Sequence, residues 1–340
     1  MKKNKLIKSL NIKERVLILL SLFLLILLFL IIYFNSFSTK AIIEEEVDEI
    51  EFVEIENETE SEKKEDLSTN YLDTQLIAVI LGNEPRYRPT NNLSEASLVY
   101  ELPTEGGTSR FLGLFPLEAD LDKVGSVRSA RPYFVDLAYD NSALLVHCGG
   151  SPQALAQIAS QRLTTLNEFY NAKYFWRDSN YLSPHNIMIS SDLWQEFVKE
   201  KEFAFEEKNN WKFVSSSEFS GNDELRHDEV LIYYSKNYQT KWKYNEEEKY
   251  YYNPSQDFKA SNLIIHYNSS YGLDDVLRLE LDILGEGDAL VCQLGSCHQA
   301  NWEKSSREEK MTYYIDDEEL TFIDGPTWIS YISAGARVDY

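Results

Sequence analysis

Four stretches of the chain combine arginine, histidine, carboxylates and glycine in a way that packing alone does not require. Pro103-Thr-Glu-Gly-Gly-Thr-Ser-Arg110 joins two apolar runs and carries Glu105 and Arg110. As a hairpin loop with Gly106-Gly107 at its tip, it explains the glycines and leaves Glu105 and Arg110 as ordinary polar residues. Val124-Gly-Ser-Val-Arg-Ser-Ala-Arg-Pro132 places Arg128 and Arg131 just ahead of a helix start. Free amides and the helix dipole attract anions there, and guanidinium groups add two-point donors. Structural salt bridges to carboxylates are the plainer reading of the same pair. His147-Cys-Gly-Gly-Ser-Pro-Gln153 reads as a strand end, a glycine turn and a helix start with Ser151 at its cap. Ligands of α/β sheets gather off such strand ends, although a tight turn also explains the glycines. Phe175-Trp-Arg-Asp178 with Pro184-His-Asn186 resembles the rim of a binding site, bringing Arg177, Asp178, His185 and Asn186. Pairing of Arg177 with Asp178, and His185 capping a strand, are the bland alternatives.

Two functions follow from these residues. Arg110, Arg128 and Arg131 would bind an anionic group, such as a lipid-carrier phosphate or a wall polymer. Alternatively, His147 or His185 would act as a base with Glu105 or Asp178 as partner, and the arginines would stabilise developing charge in a hydrolase or phosphoryl transferase. A purely structural or protein-interaction role, with the arginines paired internally, is the third. GxGxxG, GKS, GxSxG, HExxH and CxxC spacings are missing, so no standard nucleotide loop or catalytic signature applies. No cofactor and no metal site is expected.

The elements that must position these residues are partly readable. Short apolar runs at Leu76–Leu81, Ser97–Leu102, Arg110–Phe115 and Ala143–His147 are expected to be strands. Helices are expected from Pro132, Ser151-Pro152 and Ser191-Asp192. From Phe203 onward the pattern is mostly β, with strands at Glu229–Tyr234, Lys249–Tyr252, Asn262–Tyr267, Val276–Leu284, Ala289–Gln293, Met311–Ile315 and Trp328–Ile332. Asn253-Pro254, Gly285–Gly287, Asp316-Asp317 and Gly325-Pro326 read as turns. The expected fold is a mixed α/β domain over residues 71–202, followed by a mostly antiparallel β domain over 203–340.

Cys292 and Cys297 flank a hairpin turn at Leu294-Gly295. In that register they face each other in a non-hydrogen-bonded pair, with Cα atoms about 4.5 Å apart, within disulfide range. Cys148 is expected to be a buried thiol.

The amino-terminal segment sets location. Six basic residues in positions 1–15 precede nineteen residues, 16–34, that lack charge, glycine and proline. At helical rise this spans about 28 Å, enough for a bilayer core. Lys40 is the one basic residue between Phe34 and Lys63. A single-pass signal anchor with a cytoplasmic amino terminus and an extracytoplasmic bulk is therefore expected, in a bacterial cell envelope. A cleaved signal peptide ending near Ser36-Phe37-Ser38 competes, but its apolar core would be about 7–15 residues. Thirteen acidic residues between Glu44 and Asp66 make 35–70 an extended acidic linker. The net charge of −23 excludes a nucleic-acid surface. The expected partners are the membrane, through 16–34, and an anionic envelope ligand or envelope protein.

The motifs VYELPTEGGTSRFLGLF, VGSVRSARPYFVDLA, VHCGGSPQA, FWRD and SPHN, in this order and spacing, resemble the YerB-like family of bacterial lipoproteins. KASNLIIHY, NWEK and DGPTWISYI resemble that family's smaller carboxyl-terminal domain. The resemblance covers residues 70–335. It implies an exported, membrane-attached, two-domain protein of unknown function, and names no catalytic residue. The chain departs from the family pattern in having an apolar anchor where relatives carry a lipid-modified cysteine, and in the pair Cys292/Cys297.

Overall fold

The computed structural model describes residues 74–206, 211–219, 226–235, 238–268, 270–272, 279–281, 283–307 and 309–340. The expected anchor at 16–34 and the acidic linker at 35–70 lie outside them. Among the described residues no helix is long and apolar enough to cross a membrane.

In the first part, strands β1 (Leu76–Gly82), β2 (Leu98–Pro103), β3 (Ser109–Pro116), β4 (Val124–Gly125), β5 (Leu144–His147), β6 (Leu166–Asn167), β7 (Trp176–Arg177) and β8 (Ile187–Ile189) occur with three helices, α1 (Pro132–Asp140), α2 (Pro152–Ser160) and α3 (Ser191–Lys201). The second part is all β among the described residues. It runs through β9 (Lys212–Val214), β10 (Glu229–Ser235), β11 (Tyr238–Asn245), β12 (Tyr250–Asn253), β13 (Phe258–Ala260), β14 (Asn262–Asn268), β15 (Ser270–Gly272) and β16 (Leu279–Leu281). It continues through β17 (Gly285–Gln293), β18 (Ser296–Lys304), β19 (Thr312–Ile315), β20 (Glu318–Glu319), β21 (Thr321–Ile323), β22 (Thr327–Ser333) and β23 (Val338–Asp339).

One sheet of eleven strands passes through both parts, in the order β20-β19-β18-β17-β14-β22-β2-β3-β1-β5-β6. The junction is a parallel pairing of β22 with β2, in which Val99 faces Trp328 and Tyr100 faces Ile329. The continuous apolar run of β1 follows from burial on both faces. Ile77, Val79 and Leu81 enter one core, and Leu76, Ala78 and Ile80 enter the other. Helices α1 and α2 cover the second face through Phe134, Leu137 and Ala154. The first face is covered by α3 and by the small sheet β13-β12-β11-β10-β23, whose Trp242 and Phe258 contact Trp328 edge-on at 5.1 Å each.

Two of the three helix starts behave as the sequence suggests. Helix α3 instead includes Ser191, whose hydroxyl bonds the Leu121 backbone, and its N-cap Ser190 makes no side-chain cap bond. Proline occupies the first turn of α1 and α2, and Ser151 caps α2 by accepting the Ala154 amide at 3.2 Å. Gly285–Gly287 open strand β17, although their sequence predicts a turn. Gly287 faces Trp302, whose indole lies 2.7 Å from where a Cβ would stand, so glycine here permits close approach rather than a bend. Strand β11 escaped the sequence reading because its buried residues are only Thr240 and Trp242, between exposed or half-buried polar ones. Cys292 and Cys297 are paired across β17 and β18 with Cα atoms 4.0 Å apart, joined as a disulfide around the Leu294-Gly295 turn. Both turn residues have positive φ, +49° and +86°, the geometry that matches hairpin twist.

Candidate functional site

Strands β1, β5 and β6 run parallel, so their carboxyl ends share one edge of the sheet. Segment 126–131 crosses that edge and is stitched to it by backbone bonds. The Gly82 amide donates to Ser126 O (2.9 Å), Arg128 N to Ile80 O (2.8 Å), Cys148 N to Arg128 O (3.0 Å) and Ala130 N to Gly149 O (3.0 Å). Arg128 and Arg131 are thus placed by the main chain, between the ends of β1 and β5. Arg110 reaches the same place from β3, where it faces Gly82. Glu105 comes from the β2–β3 loop.

The three arginines are satisfied unequally. Arg131 makes a two-point contact with Glu105, Nε to Oε1 at 2.6 Å and Nη2 to Oε2 at 2.8 Å. Burial pushes the Glu105 carboxyl up, yet the bonds from Arg131 and its own loop amide outweigh this and hold it below the usual carboxylate value. Arg128 donates Nη1 to the Pro184 carbonyl (3.0 Å) and lies 3.7 Å from Glu84 Oε1, while its buried Nε has no partner among the described residues. Arg110 donates Nη1 to the Ser129 carbonyl at 3.0 Å and meets no carboxylate within bonding distance among the described residues. Burial, then the neighbouring Arg131 and Arg128 charges, push its guanidinium down to about 10. The cluster therefore holds three guanidinium groups against two carboxylates, and the deficit falls on Arg110.

His185 joins this cluster through an unforeseen partner. Its Nδ1 lies 2.6 Å from Glu84 Oε1, a close contact without the alignment of a hydrogen bond. Both side chains are 27% exposed, so the pair is open to solvent beside the arginines. The sequence signal that would have found Glu84 is its place just past Gly82-Asn83, the same strand-end position that singled out the glycines after His147.

The remaining candidates have other roles. His147 is fully buried, with Nδ1 2.7 Å from Gly149 O and Nε2 3.0 Å from Thr165 Oγ1. Burial lowers its pKa, so it is a neutral brace under the glycine turn and is not presented to the cleft. Ser151 is the α2 cap. Arg177 and Asp178 do not pair with each other. Arg177 contacts Glu168 (3.3 Å) and Asn186 (3.1 Å), and Asp178 lies 3.4 Å from Lys123. The Asn180 amide, then Lys123, hold the Asp178 carboxyl below its ordinary value. Cys148 lies 3.5 Å from Glu168, and burial and that carboxylate push its thiol up to about 11, leaving it a weak nucleophile.

Beneath the cleft lies a buried polar network that the sequence reading missed. Glu101 is fully buried on β2. It accepts Tyr238 (2.5 Å), Tyr234 (2.6 Å), Ser109 (2.7 Å) and Asn83 (3.1 Å). Burial raises its pKa more than these donors lower it. Asn83 Oδ1 in turn accepts Arg88 (2.8 Å) and Gln256 (3.0 Å), and Gln256 accepts the Thr90 amide (3.0 Å). Residues from β10, β11 and the β12–β13 turn thus fix the loop that delivers Glu84.

A concavity of about 470 Å³ lies at the opposite edge, near the amino ends of β5 and β6, lined in part by Ala143, Leu163 and Thr165. Its charged residues Arg162, Lys201, Glu202 and Glu206 are all exposed. It offers no converging half-buried charges, whereas the arginine cluster does. No group of three or more metal-ligating side chains occurs among the described residues.

Comparison with known proteins assigns the family. Residues 54–204 match the amino-terminal domain, and residues 230–329 the carboxyl-terminal domain, of a protein of unknown function, DUF3048. The chain belongs to the DUF3048 family. Within this family it is similar to a Bacillus subtilis (strain 168) protein, YerB, which carries the name of a lipoprotein. The two are 28% identical over 271 residues, 75% of this chain and 80% of YerB. A crystal structure of YerB protein from Bacillus subtilis matches with a TM-score of 0.69 at 25% identity, over 78% of this chain and 94% of that one. The YerB-like resemblance and a mostly β architecture with three helices among the described residues are thereby established.

Proposed function

We propose that this DUF3048 member is a cell-envelope binding module whose arginine cleft takes an anionic group, a phosphate being the best fit. The carrying observation is Arg110: a buried guanidinium between two others, bonded to a carbonyl and to no carboxylate within reach among the described residues. A bound phosphate would supply the missing countercharge and accept two-point donation. A lipoprotein name for the relative supports a membrane-attached, extracytoplasmic setting, and residues 16–34 would supply the attachment as a single-pass helix. The test is calorimetric titration of inorganic phosphate into the full chain in nanodiscs, for wild type, Arg110→Ala and Arg128→Ala. Each substitution should weaken binding by about tenfold or more, the worth of one charge-assisted pair, with the melting curve preserved. Equal affinity in all three proteins sinks the reading.

The second reading, a hydrolase or phosphoryl transferase, is favoured by the His185–Glu84 contact beside Arg128. A small rotation that aligned Glu84 with Nδ1 would orient the ring and leave Nε2 for proton transfer. Turnover of a phosphate ester by wild type and its loss in both His185→Ala and Glu84→Gln would establish it.

A further inference from the structure

Among the described residues four large apolar side chains are exposed, and three lie on the two loops that flank the arginine segment 126–131: Phe169 at 67%, its neighbour Tyr170 at 82%, and Leu182 at 61%. Their exposure is fixed by the backbone. Asn167 Oδ1 accepts both the Gly149 amide (3.0 Å) and the Phe169 amide (3.2 Å), and Asn167 O accepts Tyr170 N (3.1 Å). The Phe169 ring lies over Gly149, 2.9 Å from where a Cβ would stand, and Gly149 has φ +61°, so only glycine seats the ring there. On the other loop the Leu182 amide donates to Tyr87 Oη (2.9 Å), and Pro184, two residues on, accepts Arg128. Segment 126–130 runs between these loops, bonded to Gly149 on one side and to Ile187 on the other.

Held apolar side chains beside an under-neutralised arginine cluster recognise a ligand with both characters. Resting on the anion-binding reading, we infer that the cleft takes a phosphate-bearing amphiphile, its phosphate at Arg110 and Arg128 and its apolar portion against Phe169 and Tyr170. A flat anionic bilayer surface is a poorer occupant, because the chain carries −23 and would be repelled from it. A single headgroup bound by the partly buried arginines escapes that repulsion.

Three water-soluble probes separate the sources: inorganic phosphate, hexyl phosphate and hexanol. They are titrated into the full chain in nanodiscs, with empty nanodiscs as blank. Hexyl phosphate is expected to bind about tenfold more tightly than inorganic phosphate, which requires burying only about two methylenes. The double substitution Phe169→Ala/Tyr170→Ala should abolish most of that advantage and leave inorganic phosphate within twofold. Hexanol should not bind measurably. Hexyl phosphate binding no tighter than phosphate, with Arg110→Ala still weakening both, overturns this inference and leaves the anion-binding reading standing. Hexyl phosphate binding that Arg110→Ala does not change shows apolar adhesion alone and overturns it too. If neither phosphate probe binds, both readings fall.

Discussion

Glu84 Oε1 stands 2.6 Å from His185 Nδ1 and 3.7 Å from Arg128 Nη2, so one carboxylate oxygen serves both the histidine and the arginine. Glu84 is the anion already beside Arg128, as Glu105 is beside Arg131. An incoming phosphate must compete with it for Arg128. Glu84→Gln should therefore tighten inorganic phosphate binding by about threefold to fivefold, the scale of one partly exposed ion pair. Weaker binding in calorimetry would instead make Glu84 an organiser of the site.

Trp328 ties the two parts of the chain together. It sits on β22, is fully buried, and meets Phe111 of β3 edge-on at 5.3 Å as well as Trp242 and Phe258 at 5.1 Å. Trp328→Ala should cost about 3–5 kcal/mol, from lost burial and the cavity left behind. A fragment ending at residue 204 should fail to fold alone, because β2 would lose its β22 neighbour and expose an apolar sheet edge. Chemical denaturation of the whole chain should show one transition; a separate cooperative melt of the fragment would show that the halves are independent.

The contrast between legible and illegible features has a physical basis. Helix starts at Pro132 and Pro152 and the Cys292/Cys297 register were readable because capping, proline and turn chemistry act over a few residues. The arginine cluster was readable as residue types at strand ends. The pairings of Glu84 and Glu101 were not, since their partners His185 and Tyr238 lie 101 and 137 positions away and no local pattern marks them. The same holds for the insertion of β22 beside β2: strand runs show what is buried, and long-range pairing order follows only from the assembled sheet. His147 misled because a strand-end histidine signals a site by type, while its burial and its bond to Thr165 are tertiary facts.

The Cys292–Cys297 link closes a short loop, five positions apart. Chain-entropy reasoning for so small a loop gives about 2 kcal/mol. Cys292→Ser/Cys297→Ser should lower unfolding free energy by roughly that amount in denaturant titration. Reduction of the wild type should reproduce the loss, since the hairpin register is set independently by its Leu294-Gly295 turn. No effect from either treatment would mean that the link is not formed in solution.

Two carboxylates of the β2–β3 hairpin should give opposite pH signatures. Glu105 has its pKa lowered, because the bonds from Arg131 and its loop amide outweigh its burial. Its stabilisation is present above the ordinary value of 4.5 and is lost as the pH falls through the lower folded value. Glu101 has its pKa raised, burial outweighing the bonds from Tyr234, Tyr238 and Ser109. Its contribution is full below 4.5 and is lost as the pH rises through the higher folded value. Melting temperatures measured from about pH 3 to pH 8 separate the two. The advantage of wild type over Glu105→Gln should shrink on acidification, from about 1–3 kcal/mol near neutrality. The difference between wild type and Glu101→Gln should instead move in favour of wild type on acidification, because only the carboxyl gains a proton there. Parallel curves for Glu101→Gln would mean that its carboxyl titrates no differently in the folded and unfolded chains, and that the hydroxyl donors fully offset its burial.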